Sequence, residues 1–260
     1  MTLTRLALLS LAVALAGCTE KKAPPPRATP KPLAPLEPVR PDAGAAAEVE
    51  DDPLYKVVPL APVGPRAPAG ATVLRLDGER ALVDGAPVAD VAALKGPVLL
   101  VAVGDTYLVQ AAATLAALDD AGLETWLAHP DVELAFPVKL RDEPAFQRWL
   151  DEPVEGKLRV IHRADGFELQ TNMGKLHGGD PNGPTVPVRG GQMDLTTLRK
   201  GFQTLQARFT RAPDYCLMPS FGMELAQTAR AMAANYLSDD DAFFDGTCLV
   251  YPRPRVDAGG

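Results

Sequence analysis

Serine, histidine and cysteine are scarce in this 260-residue chain, and the usual signatures of catalysis are scarce with them. Beyond residue 17 only two serines remain, Ser220 and Ser238. Ser220 sits in Pro-Ser-Phe-Gly, which lacks the leading glycine spacing of a nucleophile elbow and reads as a helix cap before Met223. His129, His162 and His177 are not spaced as metal ligands, and none lies near a cysteine cluster, so a metal site would have to be assembled by folding alone. Neither a Walker A loop nor a GxGxxG opening a helix is present, and no cofactor is expected. Basic residues, 26 against 33 acidic, are too few for a nucleic-acid-binding face; the net charge is −7. No apolar run reaches the ~18–20 residues of a membrane-spanning helix.

The first 18 residues carry an address. Arg5 forms a short positive region, and Leu6 to Ala16 is an apolar stretch ending in small residues, the layout of a secretory signal peptide. Leu15-Ala16-Gly17-Cys18 resembles the bacterial lipobox, which implies cleavage after residue 17 and acylation of the Cys18 thiol. Cleavage removes Arg5 and no acid, so the mature chain is one unit more negative than −7. Thr19 stands where many bacteria read Asp as an inner-membrane retention signal. The expected location is therefore the cell envelope, facing the periplasm, with the outer membrane favoured over the inner. Several acyl chains would make the attachment stable.

Residues 18–70 read as a lipid-anchored linker. Half of the 26 prolines fall within 19–70, a density that opposes helix and central strand and favours extended polyproline II. From residue 71 the pattern becomes that of an α/β protein. Val73 to Leu76 and Ala81 to Val83 read as strands, Val88 to Leu94 as a short helix, and Val98 to Val103 as a buried strand. Asp105 is placed to cap a helix over Tyr107 to Ala121, and Leu123 to Ala128 is the next strand. Residues 131–156 connect, with a strand over Val132 to Leu140 and a short helix opened by Asp142 and Pro144. Residues 157–252 repeat the plan. A hairpin turns at Asp165-Gly166, and a helix capped by Asp194 runs to Phe209. A strand at Tyr215 to Met218, a helix over Met223 to Tyr236 and a last strand at Thr247 to Tyr251 follow. Both halves, 71–130 and 157–252, thus predict ββαβαβ with mixed sheets, and 253–260 reads as a tail.

The segment Val98 to Ala128, VLLVAVGDTYLVQAAATLAALDDAGLETWLA, resembles the periplasmic domain of the ExbD/TolR family: a strand ending near Asp105, a helix ending in Ala121-Gly122, then a strand. Leu158 to Tyr251 looks like a second, diverged copy. The resemblance implies a dimerising module that contacts the wall or a partner in a proton-driven biopolymer-transport or envelope-maintenance system. That family carries a proton-bearing Asp in an N-terminal membrane helix; residues 1–18 here hold no Asp or Glu, so proton translocation is not carried over.

Cys216 and Cys248 fall on predicted strands flanking one helix. Adjacent strands lie ~4.8 Å apart, within disulfide range, and an oxidising compartment permits the bond. Buried free thiols remain the alternative, and the spacing is not that of a CxxC redox pair. Gly174 to Gly191 is long and rich in glycine and proline. Lys175, His177, Asp180, Asn182 and Arg189 make it a candidate partner- or glycan-contacting loop, with a mobile loop as the plain alternative. The function expected is that of a non-catalytic envelope adaptor that contacts a protein partner, a proton-channel stator complex among the candidates. A homodimer is allowed. The rivals are a peptidoglycan-binding structural lipoprotein with no motor link, and an enzyme, which a pocket of converging His, Asp and Arg side chains would favour.

Overall fold

The computed structural model describes residues 59–254 apart from Glu155 and Phe221. Cys18, the signal peptide and most of the expected linker lie outside these residues. Residues 59–68, the end of that linker by sequence, lie against the folded body: Leu60 and Val63 pack on the core, and the Pro65 carbonyl accepts from Ala135 N–H at 2.9 Å.

The first strands are β1 (Thr72–Asp77), β2 (Arg80–Val83) and β3 (Ala86–Pro87), an antiparallel meander. Where a short helix is expected at Val88 to Leu94, a single 3-10 turn forms over Val91–Ala93, capped by the Asp90 carboxylate on Ala92 N–H; Gly96-Pro97 follow too soon for more. Next come β4 (Val98–Ala102), α1 (Leu108–Asp120), β5 (Thr125–Ala128) and β6 (Ala135–Arg141). Asp105 does not cap α1. Gln110 reaches back one turn and its Oε1 accepts from Tyr107 N–H at 2.9 Å. Helix α2 (Glu143–Asp151) has the expected Asp142 cap, which accepts from Ala145 N–H.

The second half holds β7 (Leu158–Arg163), β8 (Gly166–Thr171), β9 (Gly174–Lys175), β10 (Val186–Arg189) and β11 (Gln192–Met193). Helix α3 (Leu195–Arg208), capped by Asp194, then leads to β12 (Asp214–Met218), α4 (Leu225–Ala233) and β13 (Gly246–Val250). All the strands join one mixed sheet in the order β11-β10-β8-β7-β12-β13-β6-β5-β4-β1-β2-β3, with β9 on β8.

Strand β6 joins the two halves. It runs antiparallel to β5 through 135–138 and parallel to β13 through 139–141. Pro137 is tolerated in this central strand for a geometric reason. Bonding alternates along an antiparallel pair, and His129 N–H donates to Leu134 O, so Pro137 falls in a non-bonded pair with Trp126. Its nitrogen faces away from β5. On that side Ala135 is bonded to Pro65, and the pairing of β6 with β13 begins only at Lys139, so no ladder bond is lost.

One face of the sheet carries the main core. Leu74, Leu76, Leu100, Leu127, Phe136, Val160 and Leu217 alternate inward and meet Leu115, Leu198, Phe202 and Met232 of the helices. On the other face α2 covers only the second half. There Phe146 and Trp149 pack on Cys216, Cys248 and Val250. Cys216 and Cys248 are direct partners across the parallel strands β12 and β13, with Cα atoms 4.4 Å apart, and they form a disulfide. Trp149 donates to Asp214 at 3.1 Å. The Lys157 ammonium is 5.0 Å from the Trp149 ring and is paired with Glu152, which offsets the cost of burying it.

Candidate functional site

The loop residues singled out in the sequence do not converge. The Lys175 ammonium donates to Gly183 O at 2.7 Å and faces Glu168; Asp180 folds back to accept from Asn182 N–H; Arg189 pairs with Asp194. His177 is exposed. Two short strands, β9 and β10, run through this segment and tie it to the sheet, and β11 follows directly at the sheet edge. Its side chains mostly serve to hold the segment in place.

A different group does converge. His162, the last but one residue of β7, meets Ser220, which follows β12. These strands are adjacent and parallel, so their C-terminal ends place the two residues side by side, with His162 Nδ1 2.7 Å from Ser220 Oγ. Ser220 therefore does not cap α4 with its side chain; residue Glu224 occupies the N-cap. Burial holds the His162 imidazole below the usual histidine range, so it is neutral at pH 7. With Nδ1 engaged by Ser220, Nε2 has no hydrogen-bond partner among the described residues. Among the described residues no carboxylate is bonded to this ring, so the pair lacks the third member of a charge-stabilised triad.

His162 lines a cleft of about 680 Å³, a volume within the range of small-ligand sites. Gln227 and Arg230, three apart on α4, form one wall, and Gln192 and Met193 of β11 another. Arg230 grips Asp131 with two hydrogen bonds, of 2.8 and 3.1 Å, which pull the Asp131 carboxyl below its usual range. The cleft thus contains imidazole, two carboxamides and a guanidinium whose charge is balanced at the rim. Sequence reading missed it because the residues are far apart in the chain. The available signal was that a histidine lies near the end of one predicted strand and a serine just beyond the end of another.

A second feature is the uncovered face of the first half. Val73, Leu99, Trp126 and Pro137 are lateral neighbours on β1, β4, β5 and β6, and Val101 lies one row on. All are exposed or half-buried, and α2 does not reach them. A second cleft, of about 450 Å³, borders this face and carries Glu124, Lys139 and Asp245.

Among the described residues no helix is long and apolar enough to cross a membrane, and no group of three or more His, Cys, Asp or Glu side chains could hold a metal ion. Comparison with family models, curated proteins and solved structures finds no match to this chain.

Proposed function

We propose that the chain is a lipid-anchored envelope protein whose folded body is an internal pair of ExbD/TolR-like units and which acts as a non-catalytic adaptor. Three observations support the pairing. The strands β1, β2, β4 and β5 are hydrogen-bonded to one another in the same order and direction as β7, β8, β12 and β13. Helices α1 and α4 share a pattern: Leu108-x-Gln110-x-Ala112-x3-Ala116-Ala117 and Leu225-x-Gln227-x-Ala229-x3-Ala233-Ala234. The segments leading into these helices pair reciprocally, Leu108 N–H on Met223 O at 3.1 Å and Leu225 N–H on Thr106 O at 2.9 Å, as a local two-fold axis requires.

The observation that carries the adaptor reading is the apolar row of Val73, Leu99, Trp126 and Pro137. An apolar row left open on a sheet face marks a surface that another protein covers. The reach comes from the linker, and the fixed end from acylated Cys18. A photo-reactive residue at Val101 in living cells tests this, with another at Asp180 in the 174–191 segment and a third at exposed Gln203 as background. Capture from Val101 of a stator protein of a proton channel, or of its envelope client, is the expected result. Capture of glycan alone would favour the wall-binding rival, and capture no greater than from Gln203 would refute the adaptor.

A further inference from the structure

The two hairpins that open the halves are built alike. Each has a two-residue turn: Asp77 pairs with Arg80, and Arg163 with Gly166. Leu76 and His162 are therefore equivalent positions, each one residue before the pair that closes the turn. Leu76 is fully buried in the core, packed as its position demands. Its counterpart is a histidine that borders a cleft. The helices differ in the same sense. Gln110 closes back on its own helix start, whereas Gln227 lines the cleft, and Ala113 is matched by Arg230. One skeleton thus has a filled site in the first half and an open, polar-lined one in the second. A core position given over to a hydrogen-bonding ring costs packing, and a ligand is what would offset that cost.

We propose that the cleft bounded by His162, Gln192, Gln227 and Arg230 binds a small neutral saccharide of one or two rings. The polar groups set the class. Arg230 is balanced by Asp131, so the site presents no net charge to attract an anion, and among the described residues no carboxylate lines it to attract a cation. The two carboxamides each offer both donors and an acceptor, and the imidazole Nε2 adds one or the other, matching hydroxyls, which need both. Val188, Met193 and Leu195 supply apolar surface for the C–H face of a sugar ring. An extended peptide is the competing occupant, because β11, which lines the cleft, is the edge strand of the sheet. This inference goes beyond the adaptor reading and does not depend on any protein partner.

The test is a titration of the full-length protein with cellobiose and with N,N′-diacetylchitobiose, followed by NMR of the glutamine and histidine side chains. At least one disaccharide should bind and shift the signals of His162, Gln192 and Gln227. Gln227→Leu should weaken binding at least tenfold, and Gln192→Ala, in an exposed two-residue strand, severalfold with folding intact. Gln203→Leu, on the exposed side of α3, should bind like the unaltered protein. Absence of binding by either disaccharide at 10-millimolar order, or binding indifferent to both cleft variants, overturns the proposal. So does tighter binding of N-acetyl-alanyl-alanine amide, which would assign the cleft to peptides. Failure of the crosslink at Val101 leaves this result untouched, so the two readings fail separately.

Discussion

Reducing the disulfide should weaken the folded body by an amount that the chain length fixes. Cys216 and Cys248 are 32 residues apart in sequence, and the bond closes a loop that contains all of α4. In the chain-entropy description, opening such a loop in the unfolded state costs the folded protein about 4 kcal/mol at 25 °C. Both sulfurs lie fully buried against Phe146 and Trp149, so reduction in place leaves their packing largely as it is. Substitution by alanine would add cavities and blur the measurement. Urea unfolding of a chain lacking residues 1–48, followed by the fluorescence of Trp126 and Trp149 with and without reductant, is the assay. With a urea dependence of about 2–3 kcal/mol per molar, the midpoint should fall by about 1.3–2 M on reduction. Alkylation of the unfolded, unreduced chain should modify neither cysteine. Coincident unfolding curves, or two labelled thiols without reductant, would refute the reasoning.

Other expectations are as direct. Asn235→Ala removes both the donor to Phe244 O (2.9 Å) and the acceptor of Phe244 N–H (3.1 Å), and should cost about 2–4 kcal/mol by thermal or urea unfolding. Gly166→Ala should cost at least about 2 kcal/mol, because its φ is +142° and a methyl group would drive into the Val186 carbonyl. Burial lowers both His129 and His162 from 6.5, so below about pH 6.5 the unfolded chain takes up protons that the folded one refuses. Stability is then full above pH 6.5 and falls as the pH drops toward the folded values; the double variant His129→Gln/His162→Gln should flatten that slope in urea titrations between pH 5.5 and 7.5. Cys18→Ser should move the protein from the membrane pellet to the soluble fraction, read by immunoblot.

Strands bounded by Gly and Pro, such as β4, and helices with acidic caps, such as α2 and α3, were legible because local chemistry decides them. The mixed α/β character followed from these. The role of β6 did not. Its alternation of Phe136 and Val138 with Pro137 and Lys139 predicts a strand, but only pairing partners from both halves place it at the centre of the sheet. The start of α1 lies within one residue of the expected Tyr107, but its cap differs, because Asp105 and Gln110 both suit a helix start and sequence does not say which side chain reaches the backbone. The disulfide was legible because a single crossover through α4 puts its cysteines on neighbouring parallel strands. The cleft was not, because Ser220 and His162 meet only through the order of strands, and the loop with the more suggestive composition uses its charges internally.

The position of β6 also sets how the body would bear tension. The chain arrives beside the start of that strand, where Pro65 holds Ala135, and departs beside its end, where Tyr251 N–H holds Arg141 O. A pull on residue 59 first loads the Pro65–Ala135 bond at the start of β6, and once that bond yields it passes along the chain to Thr72, the first residue of β1. Strand β1 lies between β2 and β4, so the load then acts on its bonds to both neighbours together. The far strands, from β7 to β11, would feel it last.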